Sequence, residues 1–151
     1  MPRAARPRRL VVDGIGYRWS TRHQHTPDDG ATRDRGPFEH CRERFSAWQD
    51  GARAAPVRIL FASSGARNAG YPESGVVWIA GPPTPPGVPS PPRLSLNLNT
   101  PAVAVLLVRL ALGRGWDPGS GCPCEFDGFA LIDGHPDEHL PEPWKHLPRP
   151  R

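Results

Sequence analysis

Residues 93–118, RLSLNLNTPAVAVLLVRLALGRGWDP, hold a strand, a helix start and a helix stop in one short stretch. Leu94, Leu96 and Leu98 alternate with Ser95, Asn97 and Asn99. Side chains two apart in a strand share a face, so this segment predicts a strand with one apolar and one polar side. That pattern suits an antiparallel sheet covered on one face. Thr100 stands at an N-cap position and Pro101 at the first helical position, where a missing N–H costs nothing. Val103, Leu106, Leu107, Leu110 and Ala111 line one face of the helix. Val105, Val108 and Leu112 make most of the remainder apolar, with Arg109 the interruption. A helix apolar almost all round is buried in a core or in a membrane. The twelve residues 101–112 reach about 18 Å against the ~30 Å of a bilayer core, so the prediction is a buried helix ending at about Gly113, over about 101–113. Gly113, Arg114, Gly115 and Pro118 end it.

Working outward, Leu10-Val11-Val12 and residues 15–21 flank Asp13-Gly14, a strong hairpin signal. Ile15, Tyr17 and Trp19 share one strand face. Residues 24–37 have the composition of a loop. Cys41, Phe45 and Trp48 fit helical spacing, whereas Cys41, Phe45 and Ala47 fit alternation. A strand is favoured because Asp50-Gly51 turns into a strand at 57–61. Val57, Ile59 and Phe61 form that strand's inward face. Residues 76–80 are a compact β run, and residues 125–132 read as short extended chain anchored by Phe126, Phe129, Leu131 and Ile132. Seven prolines within 82–92 favour an exposed polyproline excursion. The prediction is an α+β protein, an antiparallel sheet of five to six strands with the helix packed on one face. It places a disordered basic arm at 1–8, one domain at 9–133 with exposed loops 24–37 and 82–92, and a Pro/His-rich, mostly disordered tail at 134–151.

The 151 residues include 21 Pro and 16 Gly, unevenly placed. Lys145 is the only lysine, so the basic residues are otherwise arginine, as in proteins from GC-rich genomes. The net charge is +4. Arg3, Arg6, Arg8 and Arg9 account for it, leaving the rest of the chain neutral. Three cysteines and no export signal point to reduced thiols and a cytoplasmic protein without a membrane partner.

Tyr17-Arg18-Trp19 beside a hairpin, residues 57–61, Asn99-Thr100-Pro101 and Gly115-Trp116-Asp117-Pro118 together resemble small uncharacterised actinobacterial proteins. In these, a few strands precede a helix ending in Gly-Trp-x-Pro. The resemblance covers about 90 residues, in pieces. It implies the α+β fold and brings no activity or functional residues with it.

Candidate chemistry is sparse. His23 and His25, two apart, would share a strand face and could bind one metal ion, with Asp28, Asp29 or His40 as a third ligand. Cys122-Pro123-Cys124 with His40-Cys41 could assemble a Cys₃His set, although paired Cys-x₂-Cys knuckles are absent. Ser63-Ser64-Gly65 lacks a nucleophile elbow, and Gly113-Arg114-Gly115 follows its helix instead of opening one. Nucleic acid could be held by Arg3, Arg6, Arg8 and Arg9, with Arg18, Tyr17 and Trp19 on the hairpin. The Pro-x-x-Pro patterns in 82–92 could dock in aromatic grooves. With no catalytic constellation and no evident cofactor, the leading expectation is a non-catalytic accessory or protein-interaction module with a protein partner. A nucleic-acid binder is the alternative, and a metal-dependent enzyme using His23 and His25 comes third.

Overall fold

The computed structural model describes residues 6–25, 41–63, 67–70, 74–79, 86–87 and 94–133. Among these residues, eight strands and two helices follow in order: β1 (Arg8–Val12), β2 (Ile15–His25), β3 (Cys41–Gln49), β4 (Val57–Ala62), β5 (Arg67–Ala69), β6 (Val76–Ile79), β7 (Leu94–Asn97), α1 (Pro101–Gly113), β8 (Cys124–Asp127) and α2 (Gly128–Asp133). The α+β class read from the sequence is correct. The expected single antiparallel sheet is corrected on two points. The strands form two sheets, one of five in the order β1-β2-β3-β4-β8 and one of three in the order β5-β6-β7. The larger sheet is also mixed, because β8 pairs parallel to β4. A parallel neighbour needs a crossover connection, and α1 lies within the long one between β4 and β8.

The hairpin forms at Asp13-Gly14, both with positive φ (50° and 82°), as a two-residue turn with right-handed strand twist requires. Residues 41–49 are strand, not helix, paired to β2 and β4. The strand β2 runs to His25, so Gln24 and His25 are strand and not the expected loop, and residues 26–37 lie outside the described residues. Gln24 and His25 sit opposite Arg42 and Cys41. Residues 125–127 are strand and 128–132 are helix, so the extended reading fails from Gly128 onward. There the Asp127 carboxylate accepts the Ala130 N–H at 3.0 Å and starts α2. Thr100 has the extended backbone of an N-cap (φ −91°, ψ 141°), but its hydroxyl donates to Asn97 O at 2.8 Å and makes no capping bond. The Pro82–Pro92 excursion, apart from Pro86-Gly87, and the tail 134–151 lie outside the described residues.

The core lies on one face of the larger sheet. Leu10, Val12, Tyr17, Trp19, Phe45, Ala47, Val57, Ile59 and Phe61 point inward against Val103, Leu107, Val108 and Leu110 of α1 and Phe129, Leu131 and Ile132 of α2. Trp116, just after α1, packs on Tyr17 and donates its indole N–H to Ala55 O at 3.0 Å. Phe61 meets Phe129 edge to face at 5.2 Å. Among the described residues no helix is long and apolar enough to cross a membrane.

Candidate metal centre

Beyond Trp19 and Phe45 the inner face of β2 and β3 changes character. The register puts His23 directly opposite Glu43 and His25 directly opposite Cys41. Because residues two apart share a face, these four side chains form a two-by-two block on the core side of the sheet. Cys41 is 3% exposed and Glu43 fully buried, whereas His25 is exposed. The smaller sheet covers this end. Gly75 N–H donates to Glu43 Oε1 at 2.8 Å, and a Cβ on Gly70 would collide with the His23 ring and the Glu43 carboxylate. Gly70 also has φ +78°, a conformation glycine adopts without strain.

His23 Nδ1–H donates to Glu43 Oε1 at 2.6 Å. Glu43 Oε2 is buried with no hydrogen-bond partner among the described residues. A carboxylate holding one ring nitrogen fixes the tautomer and leaves the other nitrogen as an acceptor, the arrangement that supports metal-binding histidines. His25 packs against His23 at 4.6 Å between ring centres, and its Nδ1 stands 3.7 Å from Cys41 Sγ. Tetrahedral zinc with Zn–S near 2.3 Å and Zn–N near 2.0–2.1 Å requires an S···N separation of about 3.6 Å. One ligand atom from each of His23, His25 and Cys41 lies within 4.8 Å of the others. Burial, and then the Glu43 charge, pushes the Cys41 thiol pKa up. That opposes an activated thiolate nucleophile, which needs the reverse shift. A bound cation would reverse it, because the thiol must deprotonate to ligate.

The sequence therefore identifies His23 and His25 but not Cys41 as their partner. Asp28, Asp29 and His40 lie outside the described residues. The Cys₃His set does not assemble. Cys124 pairs with Val57, and Cys41 lies beyond Ala47, the residue opposite Val57, by about 20 Å of strand. Cys122 is exposed in the preceding turn. The nucleic-acid reading loses its stacking platform, since Tyr17 and Trp19 are 2% and 1% exposed. Arg8 belongs to β1, lies over Trp19 at 4.3 Å and bonds Asn99, whereas Arg9 pairs with Asp50. Arg3 lies outside the described residues, and Ser63 Oγ accepts the Ala69 N–H at 2.9 Å as a turn residue.

The chain matches no protein-family model, no curated protein and no solved structure.

Proposed function

We propose that this is a metal-binding protein whose site is His23, His25 and Cys41, with Glu43 positioning His23. The supporting observation is the cross-strand block itself, in which three ligands converge within 4.8 Å beside a buried carboxylate that orients one of them. Two imidazoles and a thiolate suit a borderline-soft divalent cation, zinc first. Three protein ligands leave the fourth tetrahedral position to a solvent molecule or substrate, the pattern of catalytic and not of structural zinc sites. The metal reading, third in the order drawn from sequence, moves to first because Cys41 supplies the missing ligand.

Cobalt(II) titration of chelator-treated protein tests it. One equivalent should bind with a thiolate-to-cobalt charge-transfer band, and Cys41→Ser should abolish that band while His25→Ala weakens binding. Cobalt binding without the band, or a band that survives Cys41→Ser, contradicts the site. The accessory-module reading keeps one support, Val11 and Ile15 at 58% and 44% exposure on the hairpin. A stoichiometric protein partner lost on Val11→Ser and retained in Cys41→Ser would favour it.

A further inference from the structure

The opposite face of the larger sheet carries a different chemistry. Alternation and register place Arg9 of β1, Arg18 and Arg22 of β2, Arg42 and Arg44 of β3, and Arg58 of β4 on this one face, with Trp48 opposite Arg18. Glu125 and Asp127 of β8 lie along one edge, opposite Arg58 and Leu60. Asp50 holds Arg9 and Arg18 at 3.2 Å each. Among the described residues, Arg22, Arg42, Arg44 and Arg58 make no ion pair with a carboxylate. Arg22 stands directly opposite Arg44, a like-charge cross-strand pair that destabilises a sheet with no counter-ion. Burial and the charges of Arg22 and Arg58 lower the Arg44 pKa against the opposing pull of Glu125. A GC-rich genome would favour arginine over lysine. It does not account for six of them sharing one sheet face.

We infer that this face binds single-stranded nucleic acid, with Arg22, Arg42, Arg44 and Arg58 on the phosphates and Trp48 stacking a base. Charge complementarity names a polyanion, and the planar guanidinium fork matches phosphate oxygens two at a time. Trp48 makes the polyanion a nucleic acid, since base–aromatic stacking on an open sheet is how unpaired strands are held. It borders an open depression of about 400 Å³ with Pro7, Arg18, Asp50, Gly51 and Arg53, and the Arg53 guanidinium lies 5.7 Å from its ring. A five-stranded sheet face is too broad to enter a duplex groove, which admits a helix or a two-stranded ribbon, so the strand is single. Of the N-terminal arginines, Arg9 shares this face and is held there by Asp50, whereas the metal centre lies on the inner face.

Fluorescence anisotropy of a labelled 12-nucleotide single strand, with the full chain at several salt concentrations, tests the inference. Affinity should fall with salt at a log–log slope of about −2 to −3, since each neutralised phosphate contributes about −0.7. The Arg22→Glu/Arg44→Glu variant should bind at least tenfold more weakly, Trp48→Ala several-fold more weakly, and Arg3→Ala/Arg6→Ala nearly as wild type. Amide shifts of the wild-type chain on adding the same oligonucleotide give a readout independent of any variant's folding, and should concentrate at residues 42–48. Absence of binding at low salt overturns the inference. So does binding that survives the double reversal, or vesicles of anionic lipid binding where the oligonucleotide does not.

Discussion

The two halves of the β2–β3 pair face the same side of the same sheet and do opposite things. Toward the hairpin, Tyr17, Trp19, Phe45 and Ala47 bury apolar surface against α1 and Trp116. Toward the far end, His23, His25, Cys41 and Glu43 bring imidazole, thiol and carboxylate together under Gly70 and Gly75. The backbone ladder is continuous through both, so the change lies entirely in the side chains. Apolar burial near 25 cal/mol per Å² stabilises the first half. The second half carries buried polar groups, each of which costs free energy unless it is bonded. A chain that keeps such a block at the rim of its core has placed its chemistry where the hydrophobic scaffold ends.

Substitutions that separate the two halves sharpen this contrast. Phe45→Ala should have the largest effect, about 3–5 kcal/mol from lost burial and a residual cavity. Urea unfolding would show it, and zinc affinity of the folded fraction should not change. A parallel loss of zinc affinity would mean that the halves are one unit. Gly70→Ala comes next, at about 1–3 kcal/mol, because a side chain there is strained at φ +78° and meets His23 and Glu43. Glu43→Gln should cost less stability, since an amide oxygen still accepts from Gly75 and His23. It should nevertheless weaken zinc binding by about 10–100-fold, as loss of a carboxylate behind a metal-ligating histidine does. His25→Ala, at an exposed position, should shift metal-free stability by no more than about 0.5 kcal/mol and still weaken metal binding.

Proton linkage adds a small effect at the apolar end. Burial, with Asp13 as a lesser cause, raises the Tyr17 phenol pKa. The folded state then holds the proton more tightly than the unfolded one. Its contribution to stability is full below about pH 10 and is lost as pH rises through the folded pKa. Tyr17→Phe should remove that loss, which chemical denaturation between pH 9 and 11 would detect as a flatter profile (about one phenol's worth). An unchanged slope would mean that the phenol is not protected.

The elements that local rules control were legible in the sequence. The hairpin at Asp13-Gly14 and the buried helix after Thr100-Pro101 follow from turn chemistry and apolar periodicity, and β4 follows from the apolar alternation of Val57, Ile59 and Phe61. What depends on distant partners was not legible. Nothing in residues 94–97 says that this strand joins β6 in a second sheet, and nothing in residues 124–127 says that it lies parallel to β4. The α2 signal was present in Asp127 followed by Phe129, Leu131 and Ile132, but a six-residue helix is shorter than one reliable apolar period. For the site, His23-x-His25 was visible as a face. Glu43, sitting in the inward register of Cys41, Phe45 and Ala47, was the overlooked signal. A carboxylate in an apolar alternation marks a buried partner. Only the β2–β3 register, which joins residues across a 15-residue connection, identifies that partner as His23.

X-ray absorption at the zinc K-edge of the loaded, full-length protein tests the central claim most directly. The account predicts one sulfur near 2.3 Å and two imidazole nitrogens near 2.0–2.1 Å, completed by one light scatterer. A shell without sulfur, or with two sulfurs, which Cys122 and Cys124 would give, contradicts it.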